Sequence, residues 1–215
     1  GYGLYRQIKS LGHDCIVVAP SLIPQKPGDR VKTNRRDALS LARQLRAGDL
    51  TAVWVPDPHH EAVRDLTRAR GAAVRDQRAK RQQVSALLLR LGLHYPGNTT
   101  WGNAHRAWLA GQKLAHLEQR IALEEMLHAV RQAGDRIARL EQAIHAAVPD
   151  WSLAPSATAL MALRGIEFIA ATTLLAEIGD LTRFRTPREL MAWLGMVPSE
   201  HSTGERIRRG AITKT

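Results

Sequence analysis

Apolar side chains recur at helical spacing in the middle of the chain. Leu123, Val130, Ile137 and Ile144 fall seven apart, and Met126, Ala133, Leu140 and Ala147 follow each by three. Four such heptads form an a/d seam, the pattern of a coiled coil or an antiparallel helical hairpin. Small alanines at d let a partner helix approach closely, and Pro149 ends the pattern. An earlier helix is expected over residues 59 to about 93, stopping at Tyr95-Pro96-Gly97-Asn98. It carries Arg64, Arg68, Arg70, Arg75, Arg78, Lys80 and Arg81.

Residues 1–56 alternate between element types. Leu4, Ile8 and Leu11 keep helical spacing, with Gly12 as the stop. The run Cys15-Ile16-Val17-Val18-Ala19, closed by Pro20, predicts a buried strand. Pro24, Pro27 and Gly28 predict a loop, and Thr33 an N-cap for a helix through Arg46 with Gly48 beyond it. Residues 51–55, closed by Pro56, predict a second strand. Strand, helix, strand at this spacing implies a parallel crossover. In residues 150–215, residues 160–163, Arg164-Gly165-Ile166 and residues 170–178 predict helix, tight hairpin, helix. Thr186-Pro187-Arg188-Glu189 predicts a capping box for a helix that Gly195 closes. The fold class is therefore α/β plus all-α: 1–56 a partial α/β domain, 57–149 a helical coiled-coil region, 150–215 a helical unit with a helix-hairpin-helix-like segment.

Composition narrows the function. The 215 residues are 44% hydrophobic and carry a formal net charge of +11, which points to a polyanionic partner. A ribosomal or membrane-surface protein shares that balance. Arginine dominates the positive charge, and its planar fork suits phosphate oxygens. No apolar run reaches membrane-spanning length and no signal peptide is visible. Cys15, the single cysteine, is expected to be a reduced core thiol. The chain opens on Gly1 and stops at Thr215 just after a motif, and reads as a piece of a longer protein.

Candidate chemistry is concentrated in three places. Asn34-Arg35-Arg36-Asp37 begins a predicted helix, where positions three apart share a face that two acids could use to hold a divalent metal. Asn34 is the weaker ligand, and Asp37 alone would also favour the positive end of a helix dipole. The hairpin at Arg164 and Gly165 could present N–H groups to a phosphate or be an ordinary glycine-capped turn, and Glu167 opposes the former. Ser202 and Thr203 lie near Arg206, Arg208, Arg209 and Lys214, with His201 and Glu200 adjacent in sequence. A hydroxyl among fixed cations can attack a phosphodiester; a Ser/Thr-Gly turn in a solvated basic loop is the alternative. The histidines lack metal-ligand spacing and read as surface or packing residues. Trp54, Trp101, Trp108, Trp151 and Trp193 are scattered and read as core anchors rather than a base-stacking platform.

Together, GYGLYRQIKSLGHDCIVVAPSLIP, VKTNRRDALSLARQLRAGDLTAVWVP and the stretch from LRGIEF to GAITKT resemble the DEDD-type insertion-sequence transposases, the IS one-ten family, related to Piv-type DNA invertases. The resemblance covers nearly the whole chain in order. It implies an RNase H-like (RuvC-like) N-terminal domain with four acids binding Mg²⁺ or Mn²⁺, a coiled-coil insert, and a C-terminal transposase domain with a catalytic serine. It also implies a bacterial cytoplasmic, nucleoid-associated recombinase acting on double-stranded DNA, oligomeric, with a bridge RNA guiding some members.

By the same resemblance the paired acids fall on Asn34 and Asp37, of which only Asp37 is acidic, and the serine falls on Ser202 or Thr203, Ser202 being preferred. Arg206, Arg208, Arg209 and Lys214 match the basic tail. Arg35, Arg36 and Arg164 join the expected nucleic-acid contacts. The first aspartate and the glutamate of the family have no counterpart here, so this chain alone is expected not to cut DNA. The readings that remain are a transposase segment, an inactive nucleic-acid-binding remnant, and a helical scaffold dimerised by its coiled coil.

Overall fold

The computed structural model describes residues 2–24 and 33–212. Pro27, Gly28 and Lys214 lie outside them. The chain divides into two units, residues 1–57 and 58–215.

In the first unit, α1 (Tyr2–Ser10) and α2 (Asn34–Ala47) occupy the expected positions. The Thr33 side chain accepts from the Arg36 N–H at 3.3 Å, satisfying one of the donors a helix start leaves open. The expected strands are reduced to one bridge between Val18 and Ala52, where Val53 N–H donates to the Val17 carbonyl at 2.8 Å. That bridge is antiparallel, which corrects the parallel crossover. Parallel strands need neighbours and covered faces, and the described residues of this unit supply no third strand. Pro56 is its one buried described residue; Cys15 is half-buried and free, not a core thiol. Of the apolar stripe that begins on α1, Leu4 is 63% and Leu11, just beyond the helix, 67% exposed, while Ile8 is half-buried.

The second unit is built on two long helices, α3 (Pro58–Arg90) and, beyond the short α4 (Asn103–Ala110), α5 (Leu117–Ala147). They run antiparallel. Val63 clusters with Ile144, Arg70 bonds Glu141 at 2.7 Å, and Val84 clusters with Val130 and Leu123. The expected seam faces α3: Leu123, Val130, Ala133 and Ile144 are buried, and the remaining a/d positions are half-buried. Midway along, Ala73 and Ala133 are both buried. A Cβ added to Gly134 there would come within 2.9 Å of Gln77 Nε2. Helix α3 stops at Arg90, earlier than the Tyr95 turn predicts, because Leu91 and Gly92 already turn back. Helix α4 had no periodic signal; its buried Leu109 joins the core of the helical hairpin, and its buried His105 packs among Tyr95, Trp101 and Trp108.

Each end of the hairpin has its own core. At one end Val84, Leu87, Leu88, Leu109, Leu123 and Val130 pack together. At the other, Val63, Ile144, Val148 and Trp151 join Ala157 of α6 (Ala154–Leu160) and Ala171, Leu175 and Ala176 of α7 (Phe168–Ile178). Polar side chains lock α7 onto α3. His60 Nε2 and Arg64 Nε both donate to the Ala176 carbonyl, at 3.0 and 2.9 Å. Arg68 grips Glu177 through two bonds of 2.7 Å, and that guanidinium holds the Glu177 carboxyl below its ordinary pKa. Helix α6 precedes the predicted position, so residues 161–163 belong to the turn that follows it.

Helix α8 (Pro187–Trp193) starts on the expected box. Thr186 accepts from Glu189 N–H at 3.3 Å, but Glu189 reaches back one residue further than the motif requires, accepting from Arg185 N–H at 2.8 Å. Trp193 is 47% exposed and no core anchor. Its ring instead supports the Arg183 guanidinium, 5.0 Å from the centroid. Among the described residues no helix is long and apolar enough to cross a membrane.

Candidate active site

The segment expected to be a basic loop is a β-hairpin. Strands β1 (Pro198–Glu200) and β2 (Arg209–Ile212) pair antiparallel, with Glu200 opposite Arg209 and Pro198 opposite Ile212. Two steps on β1 face three on β2, so β2 carries a bulge. Gly210 sits in that stretch, and a Cβ there would collide with Ser199 Oγ. Beyond the named strands the ladder continues through His201 N–H to the Arg208 carbonyl at 2.9 Å and a bridge between Thr203 and Arg206. Only Gly204 and Glu205 remain for the turn. Gly204 has φ 61° and Glu205 a negative φ, the pattern of a II′ turn whose first central residue favours glycine.

This register separates the two candidate hydroxyls. Side chains alternate along a strand and directly opposed residues share a face. Ser202 therefore lies with Glu200, Ile207 and Arg209, whereas Thr203 lies with His201, Arg206 and Arg208 on the other face. The bonds agree for Ser202. Its hydroxyl donates to Glu200 Oε1 at 2.7 Å and accepts from Arg208 N–H at 3.3 Å. Arg209 Nε reaches Glu200 Oε2 at 3.4 Å. The Ser202 hydroxyl first, then Arg209, holds the Glu200 carboxyl below its ordinary pKa. Glu200 is thus an ionised acceptor at neutral pH, aiming the Ser202 proton away from the lone pair that remains. Every residue from His201 to Ile212 is exposed, so an extended polyanion can reach both hydroxyls.

The other expected residues are dispersed. Arg164 is exposed on the turn between α6 and α7. Asn34, Arg35, Arg36 and Asp37 form the first turn of α2, in the other unit, with Asp37 half-buried and the rest exposed. A divalent cation needs several hard oxygen ligands. Asn34 and Asp37 offer one amide oxygen and one carboxylate at the positive end of a helix, and among the described residues no group of three potential ligands assembles. These residues by themselves do not fit a divalent metal.

Residues 157–215 match the profile described as the transposase IS116/IS110/IS902 family, and residues 1–92 match a second profile described as a transposase. The chain belongs to this transposase family. Among its relatives, the y4qE transposase-family protein of Sinorhizobium fredii is 57% identical over 214 residues, covering 100% of this chain and 52% of that protein. The transposase for insertion sequence element IS1533 of Leptospira borgpetersenii is 30% identical, covering 87% and 55% respectively. That for IS1328 of Yersinia enterocolitica is 27% identical, covering 97% and 61%. The chain thus spans about half to three-fifths of the length of these curated relatives. In this family segment, sequence reasoning missed the hairpin and the Glu200–Arg209 pair, although a Thr-Gly step flanked by extended, basic residues was the available signal.

Proposed function

We propose that this chain is part of a DNA transposase of an insertion sequence whose Ser202 attacks a phosphodiester of double-stranded DNA. The observation that carries the proposal is the Ser202–Glu200 hydrogen bond on an exposed, arginine-rich hairpin within a transposase-family segment. In the attack the Ser202 Oγ–phosphorus bond forms and the bond from phosphorus to a deoxyribose oxygen breaks. Glu200 receives the serine proton, and the leaving oxygen takes one from solvent. Arg209, on the Ser202 face, offsets the negative charge that grows on the phosphorus oxygens, while Arg206 and Arg208 on the other face, with Arg164 and Lys214, hold further backbone phosphates. Thr203, on the opposite face, is the alternative nucleophile. A RuvC-like arrangement of the first unit, the coiled-coil role of the helical hairpin, a divalent metal, a guide RNA and an oligomer all belong to this reading of the whole protein. No step is assigned to the metal, since Asp37 contributes at most one ligand.

In the full-length parent protein, Ser202→Ala abolishes the covalent protein–DNA adduct seen on denaturing gels, while Thr203→Ala preserves it. Glu200→Gln slows adduct formation and leaves DNA affinity in place. The reverse pattern for the two hydroxyls moves the nucleophile to Thr203. One observation favours a second reading, an inactive nucleic-acid-binding remnant: Asn34 stands where the resemblance expects an acid. A restored parent protein that binds DNA but never forms an adduct would establish that reading.

A further inference from the structure

A cleft of about 560 Å³ opens between α3, α4 and α5, and no residue of the β-hairpin lines it. Small-molecule sites occupy about 300–1,000 Å³. Three guanidinium groups line it, those of Arg81, Arg106 and Arg131, against one carboxylate, that of Asp135. Arg81 Nε is buried without a hydrogen-bond partner. A buried donor left open in a folded protein calls for a missing acceptor. Among the described residues Arg106 and Arg131 also lack ion-pair partners.

The wall against which Arg81 rests is built with strain. Trp101 has φ 67°, the one described non-glycine residue with positive φ. Such outliers concentrate where a ligand is clamped. The Trp101 N–H donates to His105 Nδ1 at 2.9 Å, fixing the ring 5.2 Å from the Arg81 guanidinium carbon. Arg81 is thereby held in place but left with donors to spare. The floor is apolar, formed by Leu109, Leu127 and Val130.

We propose that this cleft binds a nucleoside phosphate. Arg81, Arg106 and Arg131 hold the phosphate, and Leu109, Leu127 and Val130 take the apolar side of the sugar and base. The nucleotide is either free or one unit of a nucleic-acid strand, and both sources present the same chemistry to these side chains. Trp101 orients Arg81 and does not stack the base, because the guanidinium covers its face.

Titration calorimetry of the purified chain with adenosine monophosphate tests the proposal. One saturable site is expected, weakened at least about tenfold by Arg81→Gln and by Arg131→Gln, since each removes a charge-assisted bond. Arg120→Gln removes the same charge from α5 outside the cleft and is expected to leave affinity within about twofold. Inorganic phosphate is expected to bind more weakly than the nucleotide, having nothing to place on the apolar floor. Circular dichroism checks that the helices persist; if Arg81→Gln loses them, Arg131→Gln decides. A twelve-nucleotide single strand that displaces the monophosphate assigns the site to a strand, and failure to displace it assigns the site to free nucleotide. Equal losses in all three variants, or phosphate binding as well as the nucleotide, would overturn the proposal.

Discussion

His105 shows how burial sets the chemistry of one side chain. It is 4% exposed, with Tyr95, Trp101 and Trp108 around its ring, and its Nδ1 accepts from Trp101 N–H. Desolvation lowers its pKa from the ordinary 6.5. The unfolded chain therefore binds a proton before the folded chain does. Stability is full above about pH 6.5 and falls as the pH drops towards the folded pKa. Thermal unfolding followed from pH 7.5 to 5.5 is expected to show a falling midpoint, with a shallower slope in His105→Gln. An unchanged slope would mean that other groups govern the acid response. The sequence read His105, like every other histidine, as a surface or packing residue, without distinguishing it from exposed ones such as His13. The difference comes from Tyr95 and Trp101, brought over it by a turn.

At the scale of elements, the seam and the caps were legible and the partnerships were not. Heptad spacing located the buried face of α5, because a helix has a fixed angular step and water penalises apolar exposure. Thr33 and Thr186 marked helix starts because capping is local. Nothing in the spacing revealed that Arg64 and Arg68 serve α7, or that α4 exists. Ile144 is fully buried where α3, α5, α6 and α7 meet. Ile144→Ala is expected to destabilise the second unit by roughly 2–5 kcal/mol, through lost burial and the cavity left behind. Urea unfolding monitored by helical ellipticity reads this directly. A loss below about 1 kcal/mol would show that the four elements collapse around the gap.

For the molecule as a whole, charge is the property that outlasts detail. The arginines of the β-hairpin are exposed and several of those on α3 are engaged internally, so the total charge overstates what the surface offers a polyanion. The logarithm of the DNA affinity is expected to fall linearly with that of the salt concentration. Replacing Arg206, Arg208 and Arg209 by Gln should reduce the slope by roughly 0.9 for each one that touches a phosphate. A slope unmoved by the triple variant would place the DNA elsewhere. The sequence by itself determined α1, α2, α5, α7 and α8, though not α4 or the ends of α3 and α6, together with the basic character and the family, since these follow from local conformational preference, composition and ordered motifs. Tertiary structure alone decided that one antiparallel bridge joins the two predicted strands, that Trp193 stays exposed, and that Ser202 and Thr203 face opposite ways. The bridge depends on which distant backbone supplies the partner, Trp193 on what packs against it and the two hydroxyls on how the hairpin pairs, and spacing along a chain carries no record of register across it.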